Sequence, residues 1–239
     1  MNSKEKIVLA WSGGKDSALA LHALRASGRW HALSLLTTVT EGCERISMHG
    51  VRVELLEEQS QSLGIPVRQV RIPKDASNSV YEARMAKALG EFKAQGVQSV
   101  AFGDIFLEDL RVYREKNLAR LGLRGVFPLW KKDTPALARD FVRQGFKAVV
   151  VCADTRALDA AFAGAEIDEA FFARLPAGVD PCGENGEFHS FVYDGPGWSL
   201  PVRFTRGERV VCEGRFCFQD LLPDPKKPTL ANDKAAPKS

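Results

Sequence analysis

Through roughly its first 150 residues the chain alternates short apolar, β-branched runs with helical stretches, and nothing else in it limits the possible folds so strongly. Residues 7–11, Ile-Val-Leu-Ala-Trp, are apolar throughout, as a strand buried on both faces must be. A helix is expected over 17–26, a strand over 33–38 and a helix over 51–63. A strand over 67–72, a helix over 79–94, a strand over 100–102 and a helix over 108–121 follow. Gly28, Gly64, Gly96 and Gly122 stand where such helices take a left-handed terminal residue. Strands alternating with helices imply right-handed crossovers and a mostly parallel sheet covered on both faces.

Beyond this the texture changes. Residues 126–130 read as a hinge, Thr134-Pro135 as a capped helix start with the helix running to 144, and 147–153 as another buried strand. After Pro181, short strands over 188–193, 202–205 and 209–219, separated by Gly-Pro and Arg-Gly turns, suit hairpins rather than crossovers. The spacing divides the chain into an α/β unit over 1–130, a smaller α+β unit over 131–222 and a tail over 223–239, whose proline, lysine and alanine lack periodicity and predict disorder.

Composition removes several classes of function. Of 239 residues, 45% are hydrophobic and 26% charged, the balance of an ordinary globular chain. No apolar stretch approaches the ~20 residues that a membrane helix needs. The first residues lack a signal-peptide pattern, so a cytoplasmic location and no membrane partner are expected. The net charge of +3 lies largely in the tail, where four lysines face two aspartates, and gives no support to nucleic-acid binding. Five cysteines without a C-x-x-C pair argue against a disulfide framework or a structural zinc site.

The chemistry concentrates in Ser12-Gly13-Gly14-Lys15-Asp16-Ser17, between the first strand and the first helix. Ligands of open parallel sheets bind at the carboxyl edge, where this loop lies. Adjacent glycines let successive N–H groups turn inward, and the helix N-terminus adds favourable potential for phosphate. Lys15 supplies positive charge, Ser12 and Ser17 supply hydroxyls, and Asp16 is placed to hold Mg²⁺. A Walker A loop is excluded because Leu9 stands where its first glycine belongs and Asp16 where its Ser or Thr belongs. The dinucleotide fingerprint is excluded because the glycines are adjacent and no third follows. The bland reading, a tight turn with a capping aspartate, needs neither Lys15 nor Ser17.

S-G-G-x-D-S in this setting resembles the PP-loop of the ATP pyrophosphatases, which implies a flavodoxin-like (HUP-type) nucleotide domain and cleavage of ATP between its α- and β-phosphates. More of the chain narrows the resemblance: Gly103-Asp104-Ile105 after the fourth strand, Leu110 to Glu115, Leu121-Gly122-Leu123, Phe127-Pro128-Leu129-Trp130, and above all Asp180-Pro181-Cys182-Gly183-Glu184-Asn185-Gly186-Glu187-Phe188-His189. From about residue 6 to 222 this ordered set looks like the diphthine–ammonia ligase family, PP-loop enzymes that complete diphthamide on elongation factor 2. The resemblance implies that a carboxylate is adenylated by Mg²⁺-ATP, pyrophosphate leaves, and ammonia displaces AMP to give an amide. It makes residues 1–130 the nucleotide domain and 131–222 the substrate domain. By the match Ser12 to Ser17 bind phosphates, Gly103 and Asp104 line the nucleotide site, and the loop from Asp180 to His189 holds the acyl acceptor, Cys182 among its lining residues. Lys15, Asp16, Asp104 and Glu187 are the candidate catalytic residues, with Asp16 the metal ligand.

The residues of that loop also speak for themselves. Asp180, Glu184 and Glu187, with Asn185 and His189, form a carboxylate cluster that is costly unless it faces a cation, a metal or water. It suits a cationic acceptor such as diphthine, and a solvated acidic turn is the plain alternative. Glu187 or His189 is a candidate base for incoming ammonium. Cys182, between proline and glycine, reads more readily as a backbone-shaped position than as a nucleophile. Met48 is a candidate adenine contact, and His49 either faces substrate or is an ordinary loop histidine. Arg111, Arg114 and Glu115 form a salt-bridged helix face unless Arg111 reaches phosphate. Trp130, Phe171 and Phe172 read as packing residues. Rival functions are a PP-loop enzyme acting on another small-molecule carboxylate, a PP-loop enzyme that thiolates or amidates an RNA base, which would want a cysteine pair and a basic face, and a non-catalytic ATP-binding module, which has no use for a second substrate site. A homo-oligomer is compatible with the sequence.

Overall fold

A computed structural model describes residues 4–225. Its first sheet grows from the apolar runs. β1 (Glu5–Ala10) is its centre, with Ile7, Val8 and Leu9 fully buried. β2 (Trp30–Thr40) pairs parallel on one side, followed by β4 (Val67–Ile72), and β5 (Ser99–Ala101) then β6 (Arg124–Val126) pair parallel on the other. The two-residue β3 (Arg45–Ile46) runs antiparallel against the end of β2 and has no counterpart in the sequence reading. β6 replaces the start of the expected hinge: Arg124-Gly125-Val126 joins the sheet edge, too short and half-buried to show a strand pattern.

Alternate side chains of these strands feed two cores. Val8, Leu36, Val70 and Val100 meet Ala88, Leu89 and Phe92 of α3 (Asn78–Ala94) and Leu118 of α4 (Glu108–Arg120). Ile7, Leu9, Leu35 and Ala101 face the other way, toward α1 (Lys15–Ala26) and α2 (Val53–Leu63). The expected α/β sandwich with both faces covered is present. Each fully buried leucine or phenylalanine contributes about 1.5–3 kcal/mol relative to exposure.

The second core does not stop at the first sheet. It continues through Phe141 of α5 (Thr134–Arg143) into a four-stranded sheet ordered β8-β7-β10-β9, made of β7 (Lys147–Asp154), β8 (Phe188–Asp194), β9 (Phe204–Cys212) and β10 (Phe216–Pro223), with the short α6 (Glu169–Ala173) laid against it. All its pairings are antiparallel, as the hairpin-like texture predicts. Two details differ from expectation. Asp133, not Thr134, caps α5, its carboxylate accepting from Ala136 N at 2.9 Å. The expected single strand over 209–219 is bent back at Glu213-Gly214, both at positive φ (55° and 61°), while Arg206-Gly207 lies within β9, where the pairing with β10 shifts register, and makes no turn. Residues on either side of that bend have equal strand character, so only Glu213-Gly214 carried the signal. Pro223, placed in the tail by composition, ends β10; residues 226–239 of the expected disordered tail lie outside the described residues. No helix among the described residues is long and apolar enough to cross a membrane.

Candidate active site

The chain turns from β1 to β2 on one side and returns to β5 on the other, so β1 is the topological switch point where an open parallel sheet leaves a crevice. The Ser12–Ser17 loop leaves β1 at that crevice and Gly103-Asp104 leaves β5 beside it. Gly103 must be glycine: a Cβ there would stand 2.8 Å from the main-chain carbon of Asp16. The two loops are packed backbone to backbone.

Gly13 turns at φ 78°, and Gly14 opens α1 in an extended conformation without any side-chain cap. The free N–H groups of the first turn therefore stay with the helix dipole, the condition for an anion site. One of them is committed: Lys15 N donates to Ser190 Oγ of β8 at 3.1 Å. Ser17 Oγ donates to Gly14 O at 2.8 Å and lies 3.4 Å from Ser12 Oγ. The turn is braced from beneath by Gln59 of α2, which is fully buried. Its Nε2 donates to Gly13 O at 3.0 Å and to Val192 O at 2.6 Å, and its Oε1 accepts from Trp11 Nε1 at 2.9 Å.

Lys15 is 2% exposed. Its Nζ donates to both Asp16 carboxylate oxygens, at 2.7 and 2.8 Å, and to the Cys182 carbonyl oxygen. Burial works against its charge, but the Asp16 carboxylate, with Cys182 and Glu184 adding, holds the ammonium above the usual lysine range. Burial lifts the Asp16 carboxyl above the usual carboxylate range, with Lys15 opposing the lift. Lys15 thus ties the first loop to the loop of the second sheet.

That second loop is built by its own carboxylates. Glu187, 7% exposed, accepts from Asp180 N (3.1 Å), Asn185 N (3.0 Å) and Asn185 Nδ2 (3.0 Å). Asp180 Oδ2 accepts from Glu184 N at 2.9 Å. Glu184 alone reaches across, its Oε1 accepting from Ile105 N at 2.7 Å on the loop after β5. Burial pushes its carboxyl up to about 7, the Ile105 N–H opposing and the Asp16 charge adding. Cys182 is buried with its Sγ 3.5 Å from Thr134 O, and burial pushes its thiol up to about 12, so it faces the cleft chemistry through its carbonyl rather than its sulfur.

His49 and His189 meet with ring centroids 4.5 Å apart and planes inclined by 37°. Burial holds His49 well below the usual histidine range, with the neighbouring His189 and Lys15 adding. Burial, then Lys15, brings His189 down to about 4. The His49 loop is held by β10: Arg45 donates to Gly50 O at 2.6 Å and to Asp220 Oδ1 at 2.8 Å, and Arg52 pairs with Asp220 at 2.6 Å. Asp104, the other half of the β5 loop, is paired with Arg114 Nε at 2.6 Å, and that guanidinium lies 4.4 Å from the Phe102 ring centroid.

A cleft of about 340 Å³ joins these groups. Ser12, Gly14, Lys15, Asp16, Ser17, Met48, His49, Gly103, Asp104, Gly183, Glu184, Gly186 and His189 line it. Gly13, Asp180, Cys182, Asn185 and Glu187 lie behind that wall, Gly13 against Gln59 and the others bracing their own loop. The expectation of Glu187 as a base meets a carboxylate already engaged by three N–H groups. Met48 is 78% exposed at the cleft rim, with φ 68°. Arg111 does not turn to the cleft; its guanidinium lies against Phe127 and Trp130, 4.8 and 4.6 Å from their centroids, and its Nε donates to Glu115 at 2.9 Å. Arg114, Ser190 and Gln59 were not singled out from sequence as site residues. Gln59 had a readable signal, a polar residue four from both Leu55 and Leu63 on an otherwise apolar helix face. Arg114 stood within the Leu110–Glu115 segment of the resemblance but read as part of a helix-surface ion-pair face, and Ser190 had no local signal, since only the fold brings it in. Among the described residues no group of three or more histidine, cysteine or acidic side chains could hold a metal.

Comparison with known proteins adds the family. Residues 5–125 match the model of the diphthamide synthase N-terminal domain and residues 133–216 that of the C-terminal domain. Over 127 residues the chain is 28% identical to diphthine–ammonia ligase of Schizosaccharomyces pombe, a match covering 51% of this chain and 21% of that protein. The chain thus matches about a fifth of the length of that curated relative. Among solved structures, a predicted subunit of a tRNA methyltransferase from Methanocaldococcus jannaschii is similar at 20% identity and TM-score 0.39, over 71% of this chain and 88% of that one. The U34-tRNA thiolase NcsA of Methanococcus maripaludis, with its [4Fe-4S] cluster, is similar at 19% identity and TM-score 0.35, over 58% and 57%.

Proposed function

The chain belongs to the diphthamide synthase family, and on that premise we propose that it is an ATP-dependent amide ligase that adenylates a carboxylate and passes it to ammonia, with diphthine on elongation factor 2 as the acceptor. One observation carries the reading: Lys15, at an uncapped helix N-terminus, shares a single cleft with Glu184 and His189 from the second sheet, so phosphate-binding and acceptor-side groups face each other. A carboxylate is a poor electrophile because oxide would have to leave. Transfer of AMP to its oxygen replaces that with a good leaving group, and the protein's part is to position and to stabilise charge.

The first-turn N–H groups, Ser12, Ser17 and Lys15 take the departing pyrophosphate, whose growing charge they meet in a water-poor site. Lys15 is then shared between phosphate and Asp16, which frees a carboxylate oxygen for the cation. Magnesium, when bound there, neutralises phosphate charge; Asp16 is the side chain that would hold it. Arg114 holds Asp104 in place at the wall, and Glu184 fixes the β5 loop against the acceptor loop. Glu187 and Asp180 shape that loop from behind. Cys182 needs no thiolate for any of this.

The reading is tested by isotope exchange. With ATP, Mg²⁺ and diphthine-bearing elongation factor 2, and no ammonia, labelled pyrophosphate should enter ATP, because transfer of the adenylyl group from ATP to the carboxylate, with pyrophosphate as leaving group, is reversible. Exchange that proceeds without any carboxylate acceptor, or fails with it while labelled phosphate enters ATP instead, contradicts the reading.

A further inference from the structure

The two histidines at the end of the cleft are not needed to grip phosphate. His49 comes from the turn after β3 and His189 from β8, and their rings stand 4.5 Å apart on the cleft wall. His49 Nδ1 is buried and has no hydrogen-bond partner among the described residues. An orphaned buried nitrogen costs on the order of 1–3 kcal/mol. The main chain of Ser190 lies against the His49 ring and, as an acceptor carbonyl does, works against the lowering of its basicity. A neutral imidazole has one N–H; with that directed at a carbonyl, the second nitrogen is an acceptor.

What that nitrogen accepts must be a donor small enough for a site crowded by Gly14, where even an added Cβ would sit 3.3 Å from His49 Cε1. Carboxylate and phosphate offer only acceptors and are drawn to Lys15. Its positive charge, felt by both rings, also works against a bound cation and favours a neutral molecule. We propose that the His49–His189 pair is the seat of the nitrogen nucleophile, holding ammonia by its N–H bonds with its lone pair turned toward the acyl carbon. The C–N bond forms as the C–O bond to AMP breaks and AMP leaves with that electron pair; the surplus proton on nitrogen passes through an imidazole nitrogen to water.

The proposal rests on the amidation reading, so its test includes a measurement that needs no turnover. In nucleotide-free protein with ¹⁵N-labelled histidine, ammonium chloride is titrated at pH 9 beside potassium chloride, a cation of similar size that has no N–H. A saturable shift of the His49 and His189 ring nitrogens with ammonium alone is expected. An equal response to both salts, or none to either, overturns the seat whatever the exchange assay reports. In amidation, His49→Ala should raise KM for ammonia at least tenfold with a smaller change in kcat, and His49→Gln, which keeps an acceptor oxygen, should recover part of it. A rise in KM for ATP that matches the rise for ammonia contradicts the assignment.

Discussion

The amide of Gln59 lies fully buried beneath Gly13, its Nε2 3.0 Å from the glycine carbonyl, so a helix on one face of the sheet sets the shape of the loop on its edge. The same amide donates to Val192 O and accepts from Trp11 Nε1. Gln59→Leu strips partners from buried groups at both ends, a cost of about 2–4 kcal/mol. The denaturant midpoint should fall with unchanged slope, and nucleotide affinity should weaken at least tenfold. A variant as stable as the parent contradicts the bracing role.

Lys15 is the hinge pin between the two loops. Lys15→Met should reduce pyrophosphate exchange by two to three orders of magnitude, the scale of losing one preorganised charge-stabilising donor. Because Cys182 O loses its donor as well, amides of 180–187 should exchange faster with deuterium. Exchange activity within a factor of three of the parent contradicts the phosphate role.

Much of this was legible in the residues. The strand–helix alternation predicts the parallel sheet because buried strands need continuous apolar runs, and S-G-G-K-D-S marks its own place because adjacent glycines and a lysine are wasted in a plain turn. The acidic loop was legible as a cluster but not in its division of labour: Glu187 and Asp180 face inward to their own loop while Glu184 reaches the β5 loop, and spacings of four and three residues do not say which. The bend at Glu213-Gly214 hid between two equally strand-like stretches. The His49–His189 contact depends on β10 holding a turn from the other sheet, a long-range fact without a local signature.

Glu184 should leave a mark on stability as pH changes. The ordinary glutamate value is 4.5 and burial raises Glu184 to about 7, so between these the fold holds a proton that the unfolded chain has lost. That contribution is present at low pH and is lost as pH rises from 4.5 toward 7. Glu184→Gln should therefore gain stability relative to the parent across this window and run parallel to it above. Parallel curves throughout contradict the raised value.

Asp220 acts in the opposite sense. Burial works upward on its carboxyl, but Arg52 and Arg45 hold it down to about 2, so its stabilisation is present above the ordinary 3.8 and is lost as pH falls toward 2. Asp220→Asn should cost about 1–3 kcal/mol at pH 7 and speed amide exchange over 45–50. Unchanged protection there would show that the histidine turn is held by something else.

Cys182→Ala tests whether sulfur matters. With the thiol pushed up to about 12, it is un-ionised at neutral pH, and the variant should keep ATP turnover within threefold while losing about 1 kcal/mol of stability. Loss of turnover with the fold intact would make the cysteine chemical after all.

The proposed work of the loop after β1 is to release pyrophosphate and leave AMP on an acid. It is tested most directly by following ATP labelled separately at the α- and γ-phosphates, with Mg²⁺, ammonium and diphthine-bearing elongation factor 2. The α-label is expected in AMP and the γ-label in pyrophosphate, with one amide formed per AMP. Label appearing as ADP and inorganic phosphate, or AMP formed at the same rate without the acceptor, contradicts it.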